Sequence, residues 1–189
     1  AYADRVCVLR LGRVQLRDAR VQDIDHYPKV FLQTGDCFLG VKPTLVTTVL
    51  GSCVAVTLCD PAHGIGAICH AFLPDSDSFR HSSREPQVCR SVDTALENMF
   101  SSLMKLRVSP DDIVVKVFGG ANGIMTAGRG NLFDIGGRNV SAVRKWLMFM
   151  GTPIAKADVG GTQGRKLLFL THTGDVWVKR LNRAGESAS

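Results

Sequence analysis

Between Val46 and Pro74 the chain carries two apolar, β-prone runs divided by a turn, and this stretch narrows the possible folds more than any other. The runs are Val54 to Leu58 and Ile65 to Leu73, and Cys59 to Gly64 between them holds the Asp60-Pro61 and His63-Gly64 turn signals. The pattern predicts a β-hairpin. If the six residues Cys59 to Gly64 form the loop, Leu58 pairs with Ile65, and counting outward sets Cys53 opposite His70. Side chains directly opposed in an antiparallel pair have Cβ atoms about 4.5–5.5 Å apart, close enough for a thiol and an imidazole to meet. A slip of one residue would send His70 to the other face. Gly51-Ser52 stands just ahead of Cys53, and a glycine there permits a tight or left-handed backbone that aims successive N–H groups at a developing oxyanion. Against the catalytic interpretation, Cys53 is one of six cysteines, and free cysteine is among the most buried residue types.

The rest of the chain supplies alternating strands and helices. Residues 1–25 alternate apolar and basic positions over Val6-Cys7-Val8-Leu9-Arg10-Leu11 and then become charged, which suggests an N-terminal extension, either an added edge strand or a partly ordered arm. Residues 26–183 form one expected domain, and 184–189 a frayed polar tail. Short strands are expected at Val30 to Leu32, Cys37 to Leu39 and Val46 to Leu50, the last carrying Thr47 and Thr48. Asp75 to Pro86 is a serine-rich polar segment, a solvated loop or a lip over the site. From Cys89 to Leu106, Val92, Leu96, Met99, Phe100, Leu103 and Leu106 keep helical spacing.

A second helix is expected from Asn139, as N-cap, to Met150, burying Val140, Val143, Leu147 and Met150, with Trp146 and Phe149 widening that face. Between the helices, the strand Ile113 to Phe118 runs into Gly119 and Gly120, which either let a substrate approach the backbone or make a tight strand exit. Ile154 to Val159 is a strand, and Lys166 to Thr171 with Val176 to Arg180 a hairpin. The glycine-rich loop Gly160 to Lys166 fits neither the Walker A spacing nor the dinucleotide fingerprint. This order predicts an α+β domain, an α/β sandwich with helices packed on a largely antiparallel or mixed sheet.

Composition excludes some function classes. At 189 residues with 45% hydrophobic and 21% charged content, the chain can bury a core and is not of disordered type. No apolar run reaches the roughly 18 residues of a spanning helix and no signal-peptide core is evident, so no membrane insertion and a cytoplasmic location are expected. The net charge of +6 is spread over scattered bases without an aromatic-interleaved patch, so no nucleic-acid partner is expected. Reduced thiols are expected for the six cysteines. A zinc site can be sketched from Cys59, His63, Cys69, His70, His81 and Cys89, but no Cys-x-x-Cys or His-x-x-x-His pair supports it, so no metal and no cofactor are expected.

Leu50-Gly51-Ser52-Cys53-Val54-Ala55-Val56, followed by Gly66-Ala67-Ile68-Cys69-His70 and Leu73-Pro74, resembles the signature of the CheD family, chemoreceptor glutamine deamidases of bacterial chemotaxis. The resemblance continues through Lys116 to Ala121, Ile135 to Asn139 and Asp158 to Lys166, in order, over about four-fifths of the chain. It implies a fold like the catalytic domain of cytotoxic necrotising factor toxins. It also implies cysteine-dependent hydrolysis of glutamine side-chain amides on methyl-accepting chemotaxis receptors, with some methylesterase activity and a CheC-type phosphatase as partner. Cys53 is then the nucleophile and His70 its base. Thr47, six residues before Cys53, matches the threonine of the family's catalytic set, with Thr48 a competitor. Ser52 and Gly51 would supply backbone to an oxyanion site. Ile68-Cys69 departs from the methionine followed by asparagine or alanine that often precedes the family histidine, and strand alternation turns Cys69 away from His70. The rival is a non-enzymatic chemotaxis adaptor that binds receptor or phosphatase through the same surface.

Overall fold

The expected hairpin forms with a tighter turn than the count above. In the computed structural model, which describes residues 7–10, 13–14, 24, 26–76, 88–122 and 134–181, Asp60 pairs with Ile65 and Ala55, not Cys53, lies opposite His70. The cause is Asp60. Its buried carboxylate accepts hydrogen bonds from the backbone N–H groups of Ala62 (3.1 Å) and His63 (3.2 Å) and meets His63 Nδ1 at 2.6 Å. That local turn draws Cys59 and Asp60 into the strand. The register moves by two residues, so every side chain keeps its face.

The hairpin strands β6 (Val54–Asp60) and β7 (Ile65–Ala71) lie inside a five-stranded sheet that also holds β4 (Cys37–Gly40), β8 (Val114–Gly119) and β9 (Ile154–Val159), in the order β4-β7-β6-β8-β9. A second sheet is ordered β2-β1-β11-β10-β5-β3. It is built from β1 (Cys7–Arg10), β2 (Arg13–Val14), β3 (Lys29–Phe31), β5 (Leu45–Leu50), β10 (Arg165–Leu170) and β11 (Val176–Arg180). Pairing is antiparallel except for β3 with β5 and β8 with β9. The α+β class with a mixed sheet therefore holds, realised as two sheets.

Two cores explain the layering. Val46, Leu50, Ala55, Ile68, Phe118, Leu167, Phe169 and Val178 fill the space between the sheets. Val54, Val56, Leu58, Cys69 and Ala71 face the other way and pack with α1 (Val92–Lys105) and α2 (Ile135–Phe149). The five-stranded sheet is thus covered on both sides, so β6 is buried at every position and its sequence is apolar without alternation.

The helix starts and faces differ in detail from expectation. Asp134, not Asn139, caps α2, accepting from Gly137 N at 2.7 Å. Asn139 lies inside the helix and is fully buried. Trp146 packs on Phe100 with ring centroids 5.1 Å apart, as expected of a core residue. Phe149 does not: it is 87% exposed and Met150 is 48% exposed. Two residues beyond the buried Leu147 is about 200° around a helix, which turns Phe149 to the outer face.

Cys37 and Cys89 are joined as a disulfide with Cα atoms 5.8 Å apart, which corrects the expectation that all thiols are reduced. Both pack in the core on the helix side of the sheet. From residues 1–25, β1 pairs antiparallel with β11; the expected lip over residues 75–86 lies largely, and the tail 184–189 wholly, outside the described residues.

Candidate active site

His70 sits on β7 with its side chain in the gap between the sheets, 3% exposed. Its backbone is fixed by the bonds from His70 N to Asp36 O (2.9 Å) and from Gly35 N to His70 O (2.7 Å). The ring is held by threonine. Thr48 Oγ1 lies 2.8 Å from Nδ1, and the same hydroxyl donates its one hydrogen to the Leu32 carbonyl at 2.8 Å. A hydroxyl that has spent its hydrogen can only accept, so Nδ1 carries the ring proton. Nε2, 3.4 Å from Thr34 Oγ1, is left with its lone pair, the form a general base requires. Burial lowers the His70 pKa against smaller upward contributions from the Leu32 backbone and Asp36.

The hydroxyl that meets Nδ1 of His70 is therefore that of Thr48. Val46, Thr48 and Leu50 alternate onto the face of β5 that looks at the other sheet. Thr47 points the opposite way and makes no side-chain hydrogen bond among the described residues. Thr48→Val is expected to lower kcat about tenfold, the loss that goes with one buried hydrogen bond of about 1.4 kcal/mol. Thr47→Val has the smaller effect. Steady-state kinetics on the two variants checks this, and the reverse ranking would return the orienting role to Thr47.

Cys53 stands half-buried at the entry to β6, two residues before Ala55 and so on the His70 side of the sheet. In a regular ladder such diagonal neighbours are about 7–8 Å apart. Accordingly, no hydrogen bond joins the Cys53 thiol to the imidazole among the described residues. Burial raises the thiol pKa, partly offset by its own backbone N–H. Raised thiol and lowered imidazole together favour a neutral resting pair over a thiolate–imidazolium pair.

The loop ahead of Cys53 is tied down by its carbonyls. Gly51 O accepts from Ala121 N (2.9 Å), Cys53 O from Gly120 N (2.7 Å), and Ser52 O from Asn139 Nδ2 (3.1 Å). Among the described residues neither the Ser52 N–H nor the Cys53 N–H donates to another residue, and that of Cys53 meets only its own sulfur. Gly119 and Gly120 make this possible. Both have positive φ, +101° and +63°, and a side chain on Gly119 would overlap the Cys53 carbonyl, while one on Gly120 would strike Val140 and Gly136. Their neighbours are thus the loop that carries Cys53 and α2. Gly51 is not left-handed, and the space at its α-carbon is open, so it does not use the conformational freedom expected of it.

The sequence left Thr34, the Leu32 carbonyl and Asn139 unassigned. Only Asn139 carried a visible signal, a polar residue at helical spacing with Gly136, Val140 and Val143 on the buried face. No three His, Cys, Asp or Glu side chains converge on a metal position among the described residues. Cys69 faces the helices and His70 the opposite sheet, which separates two of the sketched zinc ligands.

A family profile described as CheD chemotactic sensory transduction matches residues 72–180. A protein of Maridesulfovibrio salexigens named "Probable chemoreceptor glutamine deamidase CheD" is 47% identical over 159 residues, covering 82% of this chain and 93% of that one. The chain belongs to the CheD family. A second CheD relative, "Probable chemoreceptor glutamine deamidase CheD 2" of Geobacter sulfurreducens, is 45% identical over 156 residues, 82% of this chain and 92% of its own. Matches of that length span Cys53 and His70 wherever they begin, so the site lies within the region of CheD similarity. Among solved structures, YlmD from Geobacillus stearothermophilus aligns with a TM-score of 0.44 at 13% identity, over 78% of this chain and 61% of that one.

Proposed function

We propose that this CheD-family protein hydrolyses glutamine side-chain amides of chemoreceptors to glutamate, with Cys53 as nucleophile and His70 as base. The observation that carries the proposal is the arrangement around Cys53. A half-buried thiol shares a face with an imidazole whose Nε2 lone pair meets only the Thr34 hydroxyl, at 3.4 Å, beside two backbone N–H groups that donate to no other residue. The Cys53 side chain swings toward Nε2 when substrate enters. His70 takes the thiol proton as sulfur attacks the carboxamide carbon, and the oxyanion is received by the N–H groups of Ser52 and Cys53. The imidazolium returns its proton to the nitrogen, ammonia leaves, and a thioester remains. Water deprotonated by the same Nε2 then cleaves the thioester, giving glutamate and the free thiol.

Glutamine on chemoreceptors is the substrate named for the curated relatives. The open side of Gly51 leaves room for a substrate backbone. The reading places the protein in the cytoplasm, and among the described residues no helix is long and apolar enough to cross a membrane. The mechanism does not call on the Cys37–Cys89 disulfide, which lies on the helix side of the sheet. A CheC-type phosphatase is the further partner, tested by its competition with a receptor fragment.

Ammonia release from a chemoreceptor cytoplasmic fragment is the test. Release that requires this protein supports the proposal, whereas stable binding to the fragment with no ammonia would establish the adaptor instead.

The pH dependence follows from the two shifts. Activity needs neutral His70, so kcat/KM falls as pH drops through a value below the ordinary histidine pKa of about 6.5. With the thiol pKa raised, alkylation of Cys53 by iodoacetamide accelerates with pH through neutrality and has its midpoint above about 8.5. A midpoint below pH 7 would contradict the neutral resting pair.

A further inference from the structure

Three consecutive carbonyls, those of Gly51, Ser52 and Cys53, are tied inward toward the exit of β8 and the first turns of α2. In a trans peptide the C=O and the N–H of the same unit point in opposite directions. Holding the Gly51 carbonyl therefore aims the Ser52 N–H outward, and holding the Ser52 carbonyl aims the Cys53 N–H outward. Two of the three ties come from backbone N–H groups, which no substitution short of proline removes. The middle tie alone depends on a side chain, Asn139.

Resting on the deamidase proposal above, we infer that Asn139 is a positioning residue for that reaction: its amide nitrogen orients the Ser52–Cys53 peptide so that the Cys53 N–H meets the oxyanion. Asn139 Nδ2 lies 3.1 Å from the Ser52 carbonyl and 3.2 Å from the Phe72 carbonyl. Since both neighbours are acceptors, the atom facing them is the NH2 group. The second bond reaches the segment just beyond β7, two residues from His70, so one side chain fastens the nucleophile loop to the strand that carries the base. The arrangement has a cost. Asn139 is fully buried and its Oδ1 has no partner, an unmet acceptor that an aliphatic side chain at this helix position would not create. Its neighbours on the same face, Val140, Val143 and Leu147, are aliphatic.

The test compares Asn139→Ala with wild type in two reactions of Cys53. Acyl transfer from a receptor fragment develops an oxyanion, whereas alkylation by iodoacetamide does not. Asn139→Ala is expected to lower kcat for deamidation about 100-fold, the loss typical of one oxyanion donor, with KM changed less than about threefold and the Cys53 alkylation rate, followed by peptide mass mapping, less than about twofold. Val143→Ala, a core truncation in the same helix, is the control for lost packing and is expected to keep kcat within about twofold while melting earlier. If Asn139→Ala does not fold, Asn139→Gln, which keeps the amide but displaces it by one methylene, is expected to lower kcat at least about tenfold with alkylation unchanged. A folded Asn139 variant that keeps kcat within about threefold overturns the inference, as does one that loses deamidation and alkylation in parallel. Wild type that deamidates nothing overturns the function itself, and that result is distinct from both.

Discussion

His70→Ala lowers kcat for receptor deamidation by about 1,000-fold, within the range that a positioned general acid–base contributes. Cys53→Ala leaves only the uncatalysed background. In the proposed mechanism the two groups serve one sequence of proton transfer and attack, so the double variant is expected to be no slower than Cys53→Ala alone. The loss belongs to kcat, because His70 is buried at 3% exposure between the sheets and meets the substrate only at the reacting atoms. Ammonia release at saturating receptor fragment, with circular dichroism to confirm folding, checks the ordering. A His70→Ala protein with kcat within tenfold of wild type would remove the imidazole from the mechanism.

The second large effect is on the scaffold. Gly119→Ala costs about 3 kcal/mol or more of stability, because an alanine is strained at φ +101° and its Cβ would overlap the Cys53 carbonyl oxygen and crowd Leu50 Cδ1 at 3.1 Å. The relief available to the chain is to move β8 away from the nucleophile loop, which breaks the bond from Gly120 N to Cys53 O. Activity therefore falls even below the melting temperature. Gly51→Ala is the contrast: its α-carbon faces open space at ordinary φ, and its stability stays within about 0.5 kcal/mol of wild type. Thermal melts of the two variants decide the point, and equal stabilities would contradict the packing described for Gly119.

The hairpin could be read from the chain because two apolar, β-prone runs divided by turn residues are a local signal, and the two-residue error in register preserved the face of His70. The error itself came from a single side chain, Asp60, whose capping of its own turn is invisible in an Asp-Pro pair that marks only that a turn exists. Thr47 and Thr48 could not be separated, since adjacent threonines differ only in which face of β5 meets the second sheet, and that is decided by the pairing of β5 with β10 and β3. Asn139 resembled a helix cap because asparagine favours that position, yet Asp134 took the cap and left the amide buried against the nucleophile loop. The Cys37–Cys89 pair is 52 residues apart, and nothing local announces it. The existence of two sheets was hidden for a related reason: strands covered on both faces show no alternation to reveal a second layer.

The most direct measurement is the intact mass of a chemoreceptor cytoplasmic fragment after incubation with wild type and with Cys53→Ala. The account predicts a gain of about 1 Da per modified glutamine, from exchange of amide for acid by the thiol mechanism, with wild type alone. The same gain with Cys53→Ala, or none with either protein on a fragment they demonstrably bind, would contradict it.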